Sequence, residues 1–143
     1  MIRKYNENEI PRLLEIWEAA ALIAHPFLTD EFHQMVKKAM KEMYMPNSDT
    51  WVYQESGTIM GFISMMDNEI GGLFVDPKQQ GKGIGTQLVN YMTPFHDSLE
   101  VEVFEENKIG KPFYEKYGFK FMKEYVMEET NQKVIRMQKC KKA

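Results

Sequence analysis

The sequence predicts a mixed α/β fold, of the α+β or α/β kind, in which one sheet carries helices on both faces. Three observations predict it. Apolar residues recur at helical spacing in two stretches near the N-terminus. Further on, runs rich in Val, Ile, Phe and Tyr are bounded by turn dipeptides. The two kinds of segment interleave, in the order β-α-α-β-β-β-α-β-α-β-β, instead of falling into separate blocks. No repeat, low-complexity tract or linker interrupts the 143 residues, so residues 1–143 read as a single domain.

Each element has its own signal. "MIRKY" is a short strand. In "NENEIPRLLEIWEAAALIA", Ile10, Leu13, Leu14, Trp17 and Ala21 share a helical face. Asn6 or Asn8 suits the cap, and Pro11 fits only near the first turn. "HPF" interrupts. "TDEFHQMVKKAMKEMYM" is a second amphipathic helix, capped by Thr29 or Asp30 and ended before Pro46. "TWVYQESGTIMGFISMM" is a hairpin turning at Ser56-Gly57, and Asp67-Asn68 turns again into the strand "EIGGLFV". A glycine-rich loop leads into the helix "GTQLVNYM". "LEVEVF" alternates as a strand, "IGKPFYEKY" is a helix stopped by Gly118, and "FKFMKEYVME" with "KVIRMQK" closes the chain as a strand pair.

Composition narrows the function. A net charge of −3 gives no general attraction to nucleic acid or anionic membrane. No apolar run approaches the roughly 20 residues of a membrane helix, and the N-terminus has no secretory h-region. The one cysteine, Cys140, cannot form an intrachain disulfide, which is compatible with a cytoplasmic setting. Three histidines (His25, His33, His96), none paired in a ligand spacing, predict no metal site.

The informative stretch is "LFVDPKQQGKGIGTQLV". Gly81, Gly83 and Gly85 fall between a strand and a helix. The first N–H groups of a helix have no intrahelical partner, and the helix dipole favours an anion there. Glycine lets a phosphate approach the backbone without a Cβ in the way. A nucleoside-triphosphate loop needs a glycine, four residues, then Gly-Lys-Ser/Thr, and "DPKQQGKG" fails it. A dinucleotide fingerprint needs a glycine at the sixth position, where Thr86 or Leu88 stands instead. A nicotinamide oxidoreductase is therefore a poor reading.

Two stretches together resemble a known family. "QQGKGIG" contains Gln80-x-x-Gly83-x-Gly85, and "ENKIGKPFYEKYGFK" places Asn107, Gly110, Phe113, Tyr114, Gly118 and Phe119 in a second pattern. Both are similar to motifs of the GNAT N-acetyltransferases, in that family's order and separation, and the element order fits its fold along nearly the whole chain. The resemblance implies a mixed, mostly antiparallel sheet of six to seven strands, splayed between the fourth and fifth. It implies acetyl-CoA as cosubstrate, with pyrophosphate on the backbone of Gln80, Gly81, Lys82, Gly83, Ile84, Gly85 and Thr86. The pantetheine arm would insert beside Leu73, Phe74 and Val75 as an added strand. Gly71-Gly72 marks either that close approach or a plain bulge. Asn107 would cap a helix and bond the arm, Lys116 would reach the 3′-phosphate, and Tyr114 would protonate the departing thiolate.

The implied reaction is acetyl transfer to a primary amine by direct attack, without a covalent enzyme intermediate and without Cys140. An alkyl amine with a pKa near 10.4 must first lose a proton. Two residues are candidate bases. Glu69 stands eleven residues before Gln80, the offset of the general-base glutamate in histone-acetylating members. His25 lies between the first two helices and titrates in the right range. Glu100 and Glu102 share a strand face and either steer a cationic amine or form a wet sheet surface. The acceptor is a small molecule or a peptide, and a homodimer is left open. The alternative function is a non-catalytic acetyl-CoA sensor of the same fold. The methionine stripe of "FHQMVKKAMKEMYM" reads as core or as an adaptable apolar lining.

Overall fold

A computed structural model describes residues 1–140. The chain runs β1 (Ile2–Lys4), α1 (Ile10–Ala24), α2 (Asp30–Ala39), a one-turn α3 (Met45–Asn47), β2 (Asp49–Glu55), β3 (Thr58–Met66) and β4 (Glu69–Val75). It continues through α4 (Ile84–Met92), β5 (Ser98–Phe104), α5 (Gly110–Tyr117), β6 (Lys120–Met127) and β7 (Gln132–Cys140). The predicted order is borne out, with the one-turn α3 added after the second helix.

Local chemistry explains the boundaries. Pro11 lies in the first turn of α1, where no N–H is missed. Thr29 Oγ1 accepts the Phe32 N–H at 3.1 Å and starts α2. The end of that helix differs from expectation. α2 widens into a π-helical turn over Met40–Tyr44 and tightens again into α3, so Pro46 sits inside helical chain. It is tolerated because it falls at the start of the new turn. Ser56 (φ 51°) and Gly57 (φ 79°) make the left-handed hairpin turn the sequence foretold. Cys140 closes β7 opposite Ser98; Lys141, Lys142 and Ala143 lie outside the described residues.

The sheet has seven strands in the order β1-β2-β3-β4-β5-β7-β6. Every neighbouring pair is antiparallel except β4 and β5. Those two run parallel and share only Glu69↔Glu100 and Ile70↔Val101 before they part. This is the expected splay.

Side-chain alternation divides the core between the faces. On one, Ile84, Leu88, Val89 and Met92 of α4 pack with Ile63, Val101, Ile135 and Met137. On the other, Leu13, Ile16 and Trp17 of α1 pack with Val52 and Phe62. Leu99, Val101 and Val103 of β5 turn to the α4 face, so Glu100, Glu102 and Phe104 turn to the α1 face. There α1 lies over β3 and β4, while β6 is exposed along almost its whole length.

Candidate active site

The site starts from unused backbone. The Asp76 N–H donates to Met60 O at 2.8 Å, which sets the alternation of the β3–β4 ladder. Counting back along the register, Phe74 exchanges its N–H and C=O with Phe62 on β3. Leu73 and Val75 therefore turn their backbone groups into the splay. Of the three residues expected to pair with a cofactor arm, Phe74 offers its ring and not its amide. The register slips between Ser64 and Met65, leaving Gly71 as the bulged residue. The bulge reading of Gly71-Gly72 is thus met at Gly71, which also lines the groove. At Gly72 a Cβ would stand 2.9 Å from the Phe74 ring, so a side chain there would require that ring to move.

The splay opens into a groove of about 530 Å³. α1 and α2 form one wall, through His25, Leu28 and Met35; β4 and β5 form the other, through Glu69, Glu102 and Phe104. Tyr114 and Asn107 also reach it.

Past β4, Asp76 anchors the turn. Its carboxylate accepts the Lys78 N–H at 3.0 Å and an Arg12 N–H at 2.9 Å. Burial pushes this carboxyl up, but the Lys78 N–H and the Arg12 guanidinium outweigh it and hold it below the usual range. Gly81 (φ 86°) and Gly83 (φ 79°) are both left-handed, and a Cβ at either would meet nothing within 4 Å. Here the missing side chain serves backbone shape and leaves open space outside. Gly85 differs, because its Cβ would stand 3.3 Å from the Phe113 ring. It is small so that α5 can pack against α4. Ile84 is buried in the core, and only its backbone faces the turn. The first intrahelical bond is Gln87 N–H to Gly83 O at 3.0 Å, so the N–H groups of Ile84, Gly85 and Thr86 lack a helical acceptor. Gln80 Nε2 donates to Val75 O at 3.2 Å, and Lys82 Nζ to Gln79 Oε1 at 2.6 Å. Lys116 is exposed on the last turn of α5. Left-handed glycines, free N–H donors and Lys82 on the turn itself fit the pyrophosphate of acetyl-CoA.

Asn107 is buried and closely bound. Its Oδ1 accepts the N–H groups of Ile109 at 3.1 Å and Gly110 at 2.8 Å, starting α5 at Gly110 as Pro112 required. A Cβ on Gly110 would stand 2.6 Å from Asn107 Nδ2. That nitrogen lies 3.2 Å from His25 Nε2. With Oδ1 occupied by two donors, Nδ2 is the donor and His25 Nε2 the acceptor. The His25 ring also meets Phe27 and Phe104 edge-on, at centroid distances of 5.8 and 5.2 Å. Burial lowers its pKa to about 4, helped by His33. His25 is thus neutral at physiological pH and already engaged, which makes it a support for Asn107 and a weak base.

Tyr114 is packed between the edges of Phe113 and Phe119, with both centroids at 5.2 Å. Burial pushes its phenol well above the usual value. The hydroxyl has no hydrogen-bond partner among the described residues.

Glu69 brings a residue that sequence reasoning missed. Arg136 of β7 donates to Glu69 Oε1 at 3.1 Å, Glu100 Oε1 at 2.8 Å and Glu102 Oε2 at 3.0 Å. Those three bonds raise the guanidinium pKa further, against partial burial. Glu100 and Glu102 are therefore neither bare steering charges nor a simple wet face. They flank the one place where β4 touches β5, and Arg136 joins the strands across it. The signal was present: Arg136 interrupts the buried Val134, Ile135 and Met137, at the positions cross-strand from Glu102.

Comparisons place this architecture among known proteins. The family model described as "Acetyltransferase (GNAT) domain" matches residues 3–141. The peptidyl-lysine N-acetyltransferase YiaC of Escherichia coli K12 is 32% identical over 120 residues, covering 83% of this chain and 82% of that protein. The peptidyl-lysine N-acetyltransferase YjaB of the same strain is 29% identical over 120 residues, covering 83% and 81%. The solution structure of apo YjaB from Escherichia coli superposes with a TM-score of 0.87 at 25% identity, covering 96% of this chain and 95% of that one. The PaiA N-acetyltransferase of Thermoplasma acidophilum, solved with coenzyme A, gives a TM-score of 0.80 at 18% identity, covering 99% and 98%.

Proposed function

This chain belongs to the GNAT acetyltransferase family, and on that premise we propose that it transfers the acetyl group of acetyl-CoA to a primary amine. One observation carries the reading. A strand edge unpaired at both backbone groups of Leu73 and at the N–H of Val75 leads from a groove holding Tyr114 to a helix N-terminus whose turn holds two left-handed glycines. The edge suits the amide-bearing arm and the turn suits the pyrophosphate. Lys82, on the turn, adds positive charge there. Asn107 has one N–H left for the arm after bonding His25 and capping α5.

The amine enters from the α1–α2 side. Glu69 accepts its proton through the oxygen Arg136 leaves free, and water in the open groove carries that proton away. The amine nitrogen attacks the acetyl carbonyl, whose developing oxyanion meets the outward N–H groups of β4. The carbon–sulfur bond then breaks. Tyr114 keeps its proton through neutral pH and passes it to the leaving thiolate, regaining one from the nitrogen of the collapsing adduct. The relatives named peptidyl-lysine acetyltransferases favour a lysine ε-amine on a polypeptide as acceptor. The single cysteine favours a reducing, cytoplasmic setting.

Thiol release from acetyl-CoA with a panel of amines tests the proposal. Wild-type protein turns over, and Tyr114→Phe lowers kcat tenfold or more while leaving acetyl-CoA affinity within about twofold. Binding without turnover on any amine would instead make the protein a sensor, and full kcat in Tyr114→Phe would remove that residue from the chemistry.

A further inference from the structure

The lining of the groove has a composition the reaction itself does not call for. Among the described residues that line it there is no lysine or arginine, while Glu69, Glu102 and Glu129 all do. Arg136 supplies one positive charge to Glu69, Glu100 and Glu102 together, and Glu129 has no partner among the described residues. The groove therefore keeps a negative surplus. Its other walls are apolar and flexible: Met35, Met40, Met45, Met66 and Met127 all line it.

Three of the apolar lining residues stand at the rim and face solvent. Met35 is 55% exposed, Tyr44 48% and Met66 45%. Apolar side chains exposed along a groove are commonly covered when a partner docks. A free amine small enough to reach Glu69 would leave this rim bare. A sugar amine would set its hydroxyls against methionine, with Ser48 and Ser64 the only hydroxyl side chains of serine or threonine in the lining. A lysine in a polypeptide satisfies both features. Its ammonium answers the carboxylates, and a neighbouring apolar side chain covers the rim.

We propose that this groove selects lysines flanked by apolar residues and rejects those flanked by acids. Met35, Tyr44 and Met66 favour the apolar neighbour, and Glu129 with Glu102 repels an acidic one. The methionines adapt to neighbours of different shape, so the preference is for apolar character and not for one residue. This inference rests on the acetyl-transfer reading above.

The experiment compares kcat/KM for end-blocked pentapeptides with a central lysine flanked by two leucines, two glycines or two glutamates, and for an aminosugar. The leucine peptide should exceed the glycine peptide by about tenfold, as partial burial of one apolar side chain implies. The glutamate peptide and the aminosugar should fall below both. Replacing the rim residues together, Met35→Ser with Met66→Ser, should cut the leucine-to-glycine ratio to about threefold or less. Glu129→Gln should soften the penalty on the glutamate peptide. Acetyl-CoA-dependent thermal stabilisation of each variant shows that it is folded. Equal rates for leucine and glycine peptides, or a glutamate peptide or aminosugar that outpaces the leucine peptide, would overturn this specificity and leave acetyl transfer standing. No transfer to any acceptor by a protein that binds acetyl-CoA would overturn both.

Discussion

A backbone angle of +79° at Gly83 sets two demands on that position. A left-handed residue with a Cβ costs about 1–2 kcal/mol, more if β-branched. The open space beside it is where a phosphate would lie. Gly83→Val should therefore lower Tm by several degrees and weaken acetyl-CoA binding tenfold or more, measured by calorimetric titration at a temperature where the variant is folded. Unchanged affinity would remove the turn from the binding site. Gly83 and Gly85 look alike in the sequence, yet only the first is left-handed. The loop motif was legible, but the second glycine's job depends on Phe113, which arrives from α5, 28 residues later in the chain.

At the level of elements, the parting of β4 and β5 is the feature the site needs, and Arg136 fixes where it begins. Two register pairs hold those strands directly. The guanidinium, 18% exposed, adds bonds to both of them from β7. Arg136→Met would leave Glu69, Glu100 and Glu102 facing one another without a counter-charge. Removing one member of a buried charge network typically costs about 3–5 kcal/mol; with partners this exposed, roughly half that is expected. Urea unfolding should show the loss, and Arg136→Lys should recover part of it. A variant as stable as wild type would mean the strands need no such tie. The splay was anticipated through the family resemblance. Arg136 was not, because its meaning comes from three strands meeting side by side, and only Glu100 and Glu102 share a strand in the sequence. The end of α2 was missed for a local reason: Pro46 reads as a stop, and a widened turn lets the helix pass it.

For the whole molecule, His25 ties α1 to α5, since α1 ends at it and it bonds Asn107, whose side chain starts α5. From sequence it was a base candidate, for histidine titrates near neutrality; its burial among Phe27, Phe104 and Asn107 is a tertiary fact. That burial also predicts a stability profile. Unfolded, the ring takes a proton below about 6.5; folded, only below about 4. Between those values the unfolded chain binds the extra proton, so stability falls as pH falls through the window, by up to about 1.4 kcal/mol per unit. His25→Phe should remove that part of the slope and raise the KM for acetyl-CoA through a loosened Asn107, while the pH dependence of kcat above pH 6 keeps its shape. A flattened kcat profile would make His25 the base after all. The order of helices and strands along the chain, the helices on both faces and the two motifs were thus readable in the sequence, because turns, caps and periodicity are local. Residue roles that depend on partners from distant strands were not.

Amide hydrogen exchange by NMR, with and without acetyl-CoA, decides whether the cofactor lies along the β4 edge and the glycine turn. New protection is expected at Leu73 and Val75, and at Ile84, Gly85 and Thr86, with little change at Phe74, whose N–H already bonds β3. Protection that leaves the glycine turn and the β4 edge unchanged, or that falls on Phe74 and spares its neighbours, would contradict that placement.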